Sequence, residues 1–329
     1  MTIRDVAARA GVSPATVSRV FTQPHAVTLQ TRQRVMAAAD ELRYTPHPVA
    51  RSLARGRTGN LGLIVPDMAI AFSAVITKAV QHQARRDGYA LFVADSDDQA
   101  QGEDRIAAAM AKQVDGLVLS APSMSDRQLR ELADIAPLVL INRELDGIPA
   151  VLMQATDAAG HAVEHLDALG HRELVYLAGP SGYSNAMRQQ AFRETSGRLG
   201  IPAAELGPFE PTFSAGVRAA DLVLATSATA VVAYNDEIAV GVANRLADRG
   251  VRVPEDLSIV GFDDTSLAAM VTPRLTTVRL PATAAGAAAV HLLLDTLRGD
   301  DVSGRTPVEL PAELIVRSST GPASRTGTT

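Results

Sequence analysis

Apolar residues recur at helical spacing in three short segments within residues 1–45. Each segment opens on a residue suited to an N-cap: Thr2, followed by an acid as in a capping box, then Ser13 and Thr28. The apolar faces hold Val6, Ala7, Ala10, Val17, Val20, Val35, Ala38, Ala39 and Leu42. A glycine separates the first two segments, so residues 3–21 predict a helix-turn-helix.

Residues 46–60 break this periodicity. Pro46 and Pro48 flank a histidine, a short helical run follows at 49–54, and a polar stretch with two glycines closes the segment. The pattern predicts a linker that contains one or two turns of helix.

From residue 61 onward, near-continuous apolar runs alternate with amphipathic helical stretches. The apolar runs are strand candidates at residues 61–67, 90–95, 116–121, 138–143, 173–179, 230–236 and 258–264. Strands that are buried on both faces and separated by helices are typical of parallel sheets. Because seven such units exceed one comfortable sheet, we predict two doubly wound α/β subdomains in tandem.

Several of these strand candidates end in polar residues. They are Asp67, Asp95, Asn142, Arg143, Asn235, Asp236, Asp263 and Asp264. Ligands of doubly wound sheets bind beyond the carboxyl ends of the strands. A cleft between the two subdomains, lined by these ends, is therefore the predicted small-molecule site.

The composition favours a globular chain of two or three domains, since 47% of its 329 residues are hydrophobic. With aromatics at 4% and no tryptophan, we expect cores built mainly from Ala, Val, Leu and Ile. The absence of cysteine excludes disulfides and thiolate metal sites. Neither a signal peptide nor an apolar run of membrane-spanning length is visible, so we expect a soluble, cytoplasmic protein.

The overall net charge of −5 hides an asymmetry between the two ends of the chain. Residues 1–60 hold nine arginines and three acids, a net charge of +6, which leaves −11 for the remainder. A basic head on an acidic body is typical of a polyanion-binding arm, although an ordinary solvated surface is the alternative.

The second helix of the helix-turn-helix would lie in the major groove of DNA with its N-terminal residues at the base edges. Ala15, Thr16 and Arg19 are the exposed candidates. Arginine grips guanine O6 and N7 through two hydrogen bonds, and threonine bonds either base or phosphate. The motif alone is only moderately specific, because similar turns join ordinary helical pairs.

The run TIRDVAARAGVSPATVSRVF, followed by VTLQTRQRVMAAADELRYTPHPVARSLARG, resembles the N-terminus of the lactose-repressor (LacI/GalR) family of bacterial transcriptional regulators. The later segments GLIVPD, VDGLVL, HLDALGHRELVYLAGP, AVVAYNDEIAVG, RVPEDLSIVGFDD, RLTTVRLP and ELIVRSST are similar to the family as well. The resemblance spans the whole chain except about the last ten residues.

The resemblance implies a helix-turn-helix headpiece at 1–45, a hinge helix and linker at 46–60, and a periplasmic-binding-protein-like module at 61–320 that binds an effector and dimerises. It implies an N-subdomain at about 61–156 plus 284–318 and a C-subdomain at about 157–283. We expect a disordered tail at 321–329.

The resemblance also assigns roles within the headpiece. Residues matching Ala15, Thr16 and Arg19 read bases or adjacent phosphates of a near-palindromic operator. Residues that match family contacts to the DNA backbone are Thr2, Ser13, Thr22, Thr28, Thr31 and Tyr44. The residue matching Leu53 wedges into the minor groove, which agrees with the use of leucine to unstack and kink DNA. An ordinary core role is the alternative for Leu53.

For the effector site, the resemblance points to Phe72, Arg188, Phe209, Asn235 and Asp263, and the neighbouring Tyr183 and Asn185 can extend the wall. Aromatic faces cover the apolar side of a sugar ring, while Arg, Asn and Asp bond its hydroxyls, so a sugar or related metabolite is the expected effector.

The sequence departs from the family pattern in two places. Pro14 replaces a base reader that is polar or aromatic in many members. The loop at 68–73 is more apolar than usual, which predicts a more apolar pocket wall.

One segment imitates a metal site. His161, Glu164 and His165 fit the H-x-x-E-H pattern of a metalloprotease. The same segment matches the regulator pattern, so we expect no metal, cofactor or catalytic site. The competing hypothesis is a sugar-binding protein of a transport system, which shares the two-lobed module; export would require a signal peptide, and a basic helix-turn-helix stands in its place.

Overall fold

The structure is a computed structural model that describes residues 1–22, 26–44, 57–97, 100–300 and 306–324. Its headpiece comprises the helices α1 (Ile3–Ala10), α2 (Pro14–Thr22) and α3 (Leu29–Glu41). The predicted apolar faces meet in one small core, where Val6, Val17 and Val35 are fully buried. Ion pairing between Arg9 and Glu41, at 2.7 Å, ties α1 to α3 across the surface.

The predicted caps of the headpiece helices are confirmed. Thr2 and Asp5 form a capping box, and Gly11 ends α1 with a φ of 65°, a left-handed conformation that glycine adopts without strain. Oγ of Ser13 accepts the backbone N–H of Thr16 at 3.1 Å. These short contacts fix where each helix begins and so fix the turn between α1 and α2.

The N-subdomain is a six-stranded parallel sheet in the order β11-β5-β4-β3-β1-β2. Its elements are β1 (Asn60–Val65), α4 (Ala71–Arg86), β2 (Ala90–Asp95), α5 (Ala100–Ala111), β3 (Gly116–Ser120), α6 (Asp126–Ala133), β4 (Leu138–Ile141), β5 (Ala150–Gln154), α12 (Ala282–Arg298) and β11 (Val308–Pro311). Strands β1, β3 and β4 are almost wholly buried, as their continuous apolar runs predicted.

The C-subdomain has the corresponding order β12-β10-β9-β8-β6-β7, in which β12 alone runs antiparallel to its neighbour. Its elements are α7 (Ala155–Ala168), β6 (Leu174–Leu177), α8 (Tyr183–Leu199), β7 (Ala203–Leu206), α9 (Phe213–Val223), β8 (Ala230–Ala233), α10 (Asp236–Asp248), β9 (Ser258–Asp263), α11 (Ser266–Met270), β10 (Thr276–Arg279) and β12 (Glu313–Ile315). Two doubly wound subdomains in tandem are thus confirmed.

The chain passes between the subdomains three times, after β5, after β10 and between β11 and β12. The bounds expected for the subdomains therefore need correction. Residues 313–315 were assigned to the N-subdomain, but β12 pairs with β10 of the C-subdomain. Residues 282–283 were assigned to the C-subdomain, but they belong to α12 of the N-subdomain, which begins at Ala282 after its N-cap residue Pro281.

The last described residues also differ from expectation. Residues 321–324 were expected to start a disordered tail, but they pack against the C-subdomain. The N–H of Gly321 donates to Oγ of Ser258 at 3.1 Å, and the N–H of Ala323 donates to the carbonyl of Leu169 at 2.9 Å. Both donors are backbone N–H groups that acceptors of the C-subdomain satisfy, so these residues pack against it.

Helices α9 and α10 approach each other backbone to backbone. A Cβ built on Gly216 would lie 2.2 Å from the carbonyl oxygen of Ile238, and one on Gly241 would lie 2.2 Å from that of Phe213. Only glycine allows this contact, which fixes the N-terminus of α10 beside the cleft. Within the described ranges, no helix is both long and apolar enough to span a membrane.

Candidate functional site

A cavity of about 850 Å³, open to solvent, lies in the cleft between the two subdomains. Its lining from the N-subdomain includes Pro66, Ile70, Phe72, Ser73, Ser120 and Asn142, and its lining from the C-subdomain includes Tyr183, Asn185, Arg188, Tyr234, Asn235 and Asp263. Most of these residues lie at carboxyl ends of strands or in the helical turns that follow, as predicted for doubly wound sheets.

Arg188 and Asp263 form a buried ion pair at the floor of this cavity. Nη2 of Arg188 lies 3.3 Å from Oδ1 of Asp263, and both side chains are 5% exposed. The guanidinium also donates to the carbonyl oxygen of Tyr234 and lies against two aromatic faces, 4.6 Å from the ring centre of Tyr234 and 4.2 Å from that of Phe262. Nε of Arg188 is buried and has no partner among the described residues.

Burial raises the pKa of Asp263 to about 6, although Arg188 opposes the shift. Nearby Asp236 is wholly buried at the start of α10. Burial and the charge of Asp263 raise the pKa of Asp236 to about 8, against three hydrogen bonds that it accepts from Thr265 and Thr277. Two buried carboxyls therefore lie near each other, and that of Asp263 pairs with the guanidinium of Arg188.

Two asparagines in the wall are held by their own neighbours. Asn235 caps α10, because its Oδ1 accepts the N–H of Ile238 at 2.9 Å and its Nδ2 donates to the carbonyl of Pro211 at 3.0 Å. Oδ1 of Asn185 accepts the hydroxyl of Tyr176 and the N–H of Gly179, both at 3.0 Å. These contacts fix the orientation of both amides before any ligand arrives.

The second candidate surface is the headpiece. Ala15 and Arg19 are exposed on α2, and Thr16 is partly buried with its hydroxyl 2.9 Å from that of Ser13. Thr28 caps α3, and its hydroxyl donates to that of Thr31 at 3.0 Å. The expected phosphate contacts at Ser13, Thr28 and Thr31 therefore lie at the N-terminal ends of helices, where backbone N–H groups and the helix dipole favour an anion.

Comparison with known proteins fits this geometry. Residues 2–47 match the model of bacterial regulatory proteins of the lacI family, and residues 163–320 match the periplasmic binding protein-like domain. The HTH-type transcriptional repressor CytR of Escherichia coli (strain K12) is 35% identical over 331 residues, which cover 97% of this chain and 96% of CytR. This chain belongs to the lacI family.

Solved structures of the family superpose on this lacI-family regulator. The lac repressor dimer bound to operator and the anti-inducer ONPF gives a TM-score of 0.86 at 28% identity, covering 98% of this chain and 99% of that one. A regulator from Enterococcus faecium with bound ribose gives a TM-score of 0.71 at 26% identity, covering 80% of this chain and 99% of that one.

Five of the six residues expected in the effector site of this regulator line one cavity: Phe72, Tyr183, Arg188, Asn235 and Asp263. Phe209 is the exception. It packs against the apolar core of the C-subdomain and lines a neighbouring depression with Asp67 and Glu210. The apolar wall expected from the loop at 68–73 is present, since Ile70 and Phe72 line the cavity.

Several cavity residues of the lacI-family regulator, among them Ser73 and Tyr234, were not singled out by sequence reasoning, and Asn142 was predicted only as a polar strand end. Ser73 lies inside a helix, and nothing in its neighbourhood marks it. Asn142 follows β4 with a φ of 53°, so its backbone turns sharply and aims the residue at the cleft. Its position at a strand end was the one available signal.

The roles expected for Tyr44 and Thr22 as contacts to the DNA backbone stay predictions. Tyr44 packs its ring 6.2 Å from that of Phe21 in the headpiece core, and Thr22 ends α2. Leu53 and most of the hinge segment lie outside the described residues, so the wedge stays a prediction.

The metal-like triplet has ordinary partners. Nε2 of His165 lies 2.9 Å from the hydroxyl of Thr320, and Glu164 pairs with Arg198 at 2.6 Å. Across the described ranges, no group of three or more metal-binding side chains comes together.

Proposed function

We propose that this regulator binds a specific, near-palindromic operator as a homodimer, probing bases with Ala15, Thr16 and Arg19. In support, the operator-bound lac repressor dimer covers nearly the whole chain. The contacts proposed for the DNA backbone are Thr2, Ser13, Thr22, Thr28, Thr31 and Tyr44. Leu53 would enter the minor groove between half-sites and bend the operator.

We further propose that an effector, a sugar or related metabolite, binds in the cleft and changes operator affinity. The buried Arg188–Asp263 pair carries this proposal, because it places charged donors and acceptors in a cavity with aromatic walls. Ribose in the regulator from Enterococcus faecium supports the same chemical class. Phe72 and Tyr183 would cover the apolar face of the ring, and Asn235 would bond its hydroxyls.

Two measurements test the proposal. Duplexes selected from a random pool are titrated by fluorescence anisotropy over a salt series, and affinity should fall steeply with salt because arginines displace counterions. A thermal-shift screen of sugars then identifies the effector, which should change operator affinity. A flat salt response together with no preference over random duplex contradicts the DNA-binding half, and a bound sugar without effect on the operator contradicts the gating half.

The transport hypothesis shares the cleft but not the headpiece. A transport protein has no use for residues 2–47, which match the DNA-binding part of the family. CytR, a transcriptional repressor, matches this chain over 96% of its own length, which supports a regulator over a transport protein.

A further inference from the structure

Helix α4 of the N-subdomain begins at the rim of the cleft without a cap of its own. Its N-cap residue, Ile70, has no side chain that can accept a hydrogen bond. The first N–H groups of a helix lack partners within the helix, and they need an acceptor when they leave water. Phe72 and Ser73, in the same first turn, line the effector cavity.

The missing acceptor comes from the other subdomain. Oε1 of Glu237, in the first turn of α10, lies 3.0 Å from the backbone nitrogen of Ala71. These residues are 166 positions apart in sequence, on opposite sides of the cleft. Glu237 also follows Asn235 by two positions, so the contact borders cavity residues on both sides.

We propose that Glu237 is an interdomain cap: its carboxylate crosses the cleft to cap α4 and so sets the balance between closed and open forms of the module. A carboxylate between the N-terminal ends of α4 and α10 interacts favourably with both helix dipoles. Opening the cleft breaks this contact and leaves the first turn of α4 uncapped. Closure is thereby favoured by a contact that needs no effector.

The position of Glu237 is costly for a residue with a purely local role. Its Oε2 is buried and has no partner among the described residues. Burial raises the pKa of Glu237, against the N–H groups of Ala71 and of Glu237 itself. A glutamate turned outward from α10 would avoid that desolvation, so the inward position is explained by the contact across the cleft.

The donor can be removed as cleanly as the acceptor. Ala71 is the first residue of α4, where proline is favoured, and Ile70 has the extended ψ of 128° that a following proline requires. Ala71→Pro therefore deletes the N–H that Glu237 accepts across the cleft and leaves the helix intact. Glu237→Met removes the acceptor at similar length, and Glu237→Gln keeps an amide oxygen in its place.

The full chain contains no cysteine, so Met68→Cys and Glu210→Cys introduce two specific spin labels at the mouth of the cleft. Both side chains are exposed, on opposite subdomains. We expect one main distance in the parent and in Glu237→Gln. Glu237→Met and Ala71→Pro should each populate a longer distance, with about a tenfold larger open fraction, as for the loss of a hydrogen bond to a charged group.

The double variant that combines Glu237→Met with Ala71→Pro decides whether these two changes act on one contact. It should open no further than either single variant, because the second change removes nothing that is left. Glu194→Met, an exposed glutamate on α8, is the matched control and should keep the parent distance. Parent-like distances in both Glu237→Met and Ala71→Pro, in proteins that melt cooperatively, overturn the proposal.

The consequence for DNA rests on the proposed function, and it is measured separately. Operator affinity of the same variants without effector should change by the same factor in Glu237→Met and Ala71→Pro. Longer distances with unchanged operator affinity would support the interdomain cap and count against gating. Unchanged spin-label distances with a shifted operator affinity would count against the interdomain cap but not against gating.

Discussion

The two walls of the cleft differ in chemistry. The C-subdomain contributes the ion pair of Arg188 and Asp263 and the amide of Asn235, all tied into their own subdomain. The N-subdomain contributes Ile70 and Phe72 from a helix that is capped across the cleft. The wall of the N-subdomain is mixed, because Ser73, Ser120 and Asn142 line it as well. We infer that the polar wall of the C-subdomain orients a ligand and that Ile70 and Phe72 form an apolar cover whose position depends on closure. Specificity and gating are therefore divided between the walls.

The largest expected effect follows from breaking the polar wall. Arg188→Met leaves Asp263 buried without its cation, which should lower the free energy of unfolding by about 3–5 kcal/mol. The same change should remove effector binding. Urea denaturation with parent and variant at pH 7 measures the first effect, and calorimetry measures the second.

Ile70→Ala, on the opposite wall, is the matched control for Arg188→Met. Ile70 is only partly buried, so we expect a much smaller loss of stability and a cooperative unfolding transition like that of the parent. Equal losses of unfolding free energy in the two variants would show that the buried ion pair stabilises the fold no more than the apolar side chain does.

The next effect concerns pH and the second buried carboxyl. The pKa of Asp236 is raised in the folded state to about 8, well above its unfolded value. A raised folded pKa contributes stability that is complete below the unfolded pKa and is lost as pH rises through the folded one. Stability should therefore fall between pH 6 and 8, with a slope approaching about 1.4 kcal/mol per pH unit.

Asp236→Asn removes the titrating proton and keeps an oxygen for the N–H of Thr265, while the hydroxyl of Thr277 can turn to accept from the new amide. The variant should show a flatter pH profile of urea midpoints between pH 6 and 8. A profile parallel to that of the parent would place the pH dependence elsewhere.

Much of this architecture is predictable because it depends on local pattern. The headpiece caps at Thr2, Ser13 and Thr28 follow from residue type and spacing, and β1, β3 and β4 follow from continuous apolar runs. Strand β7 (Ala203–Leu206) escapes prediction, because an edge strand of small and exposed residues carries no such run. The return of β12 to the C-subdomain depends on tertiary pairing alone.

The cleft is predictable to a lesser degree. Strand-end residues such as Asp263 follow from the topology rule for doubly wound sheets. The stacking of Arg188 between Tyr234 and Phe262 cannot be read from sequence, since it joins three separate elements. The cap that Glu237 provides to Ala71 is equally non-local, and Phe209 shows that a matching position can still lie outside the cavity.

Substitutions in the headpiece should have a smaller effect, on DNA binding and not on the cleft. Arg19→Ala should cost about 1–3 kcal/mol at one base pair of each half-site and relax the preference there. Thr31→Ala, a proposed phosphate contact, should weaken all duplexes alike. Selection from random operators separates the two outcomes, and the same motif from Arg19→Ala and from the parent would show that Arg19 does not read bases.

The smallest expected effect is on effector affinity, and it comes from a comparison of two aromatic residues, Phe72 inside the cavity and Phe209 outside it. Phe72 lines the effector cavity, whereas Phe209 packs on the C-subdomain core and lines the depression beside it. Phe72→Leu, which keeps an apolar side chain but removes the flat ring, should weaken effector binding about two- to tenfold, since stacking on a ring is worth roughly 0.5–1.5 kcal/mol. Phe209→Leu should leave that affinity within about twofold, because Phe209 is not among the residues that line the cavity. Calorimetry with the sugar from the thermal-shift screen measures both variants, and thermal melts show whether either has lost its fold. If Phe209→Leu costs as much affinity as Phe72→Leu while melting like the parent, the effector occupies the neighbouring depression as well, and the division between a polar wall and an apolar cover would have to include the loop at 207–212.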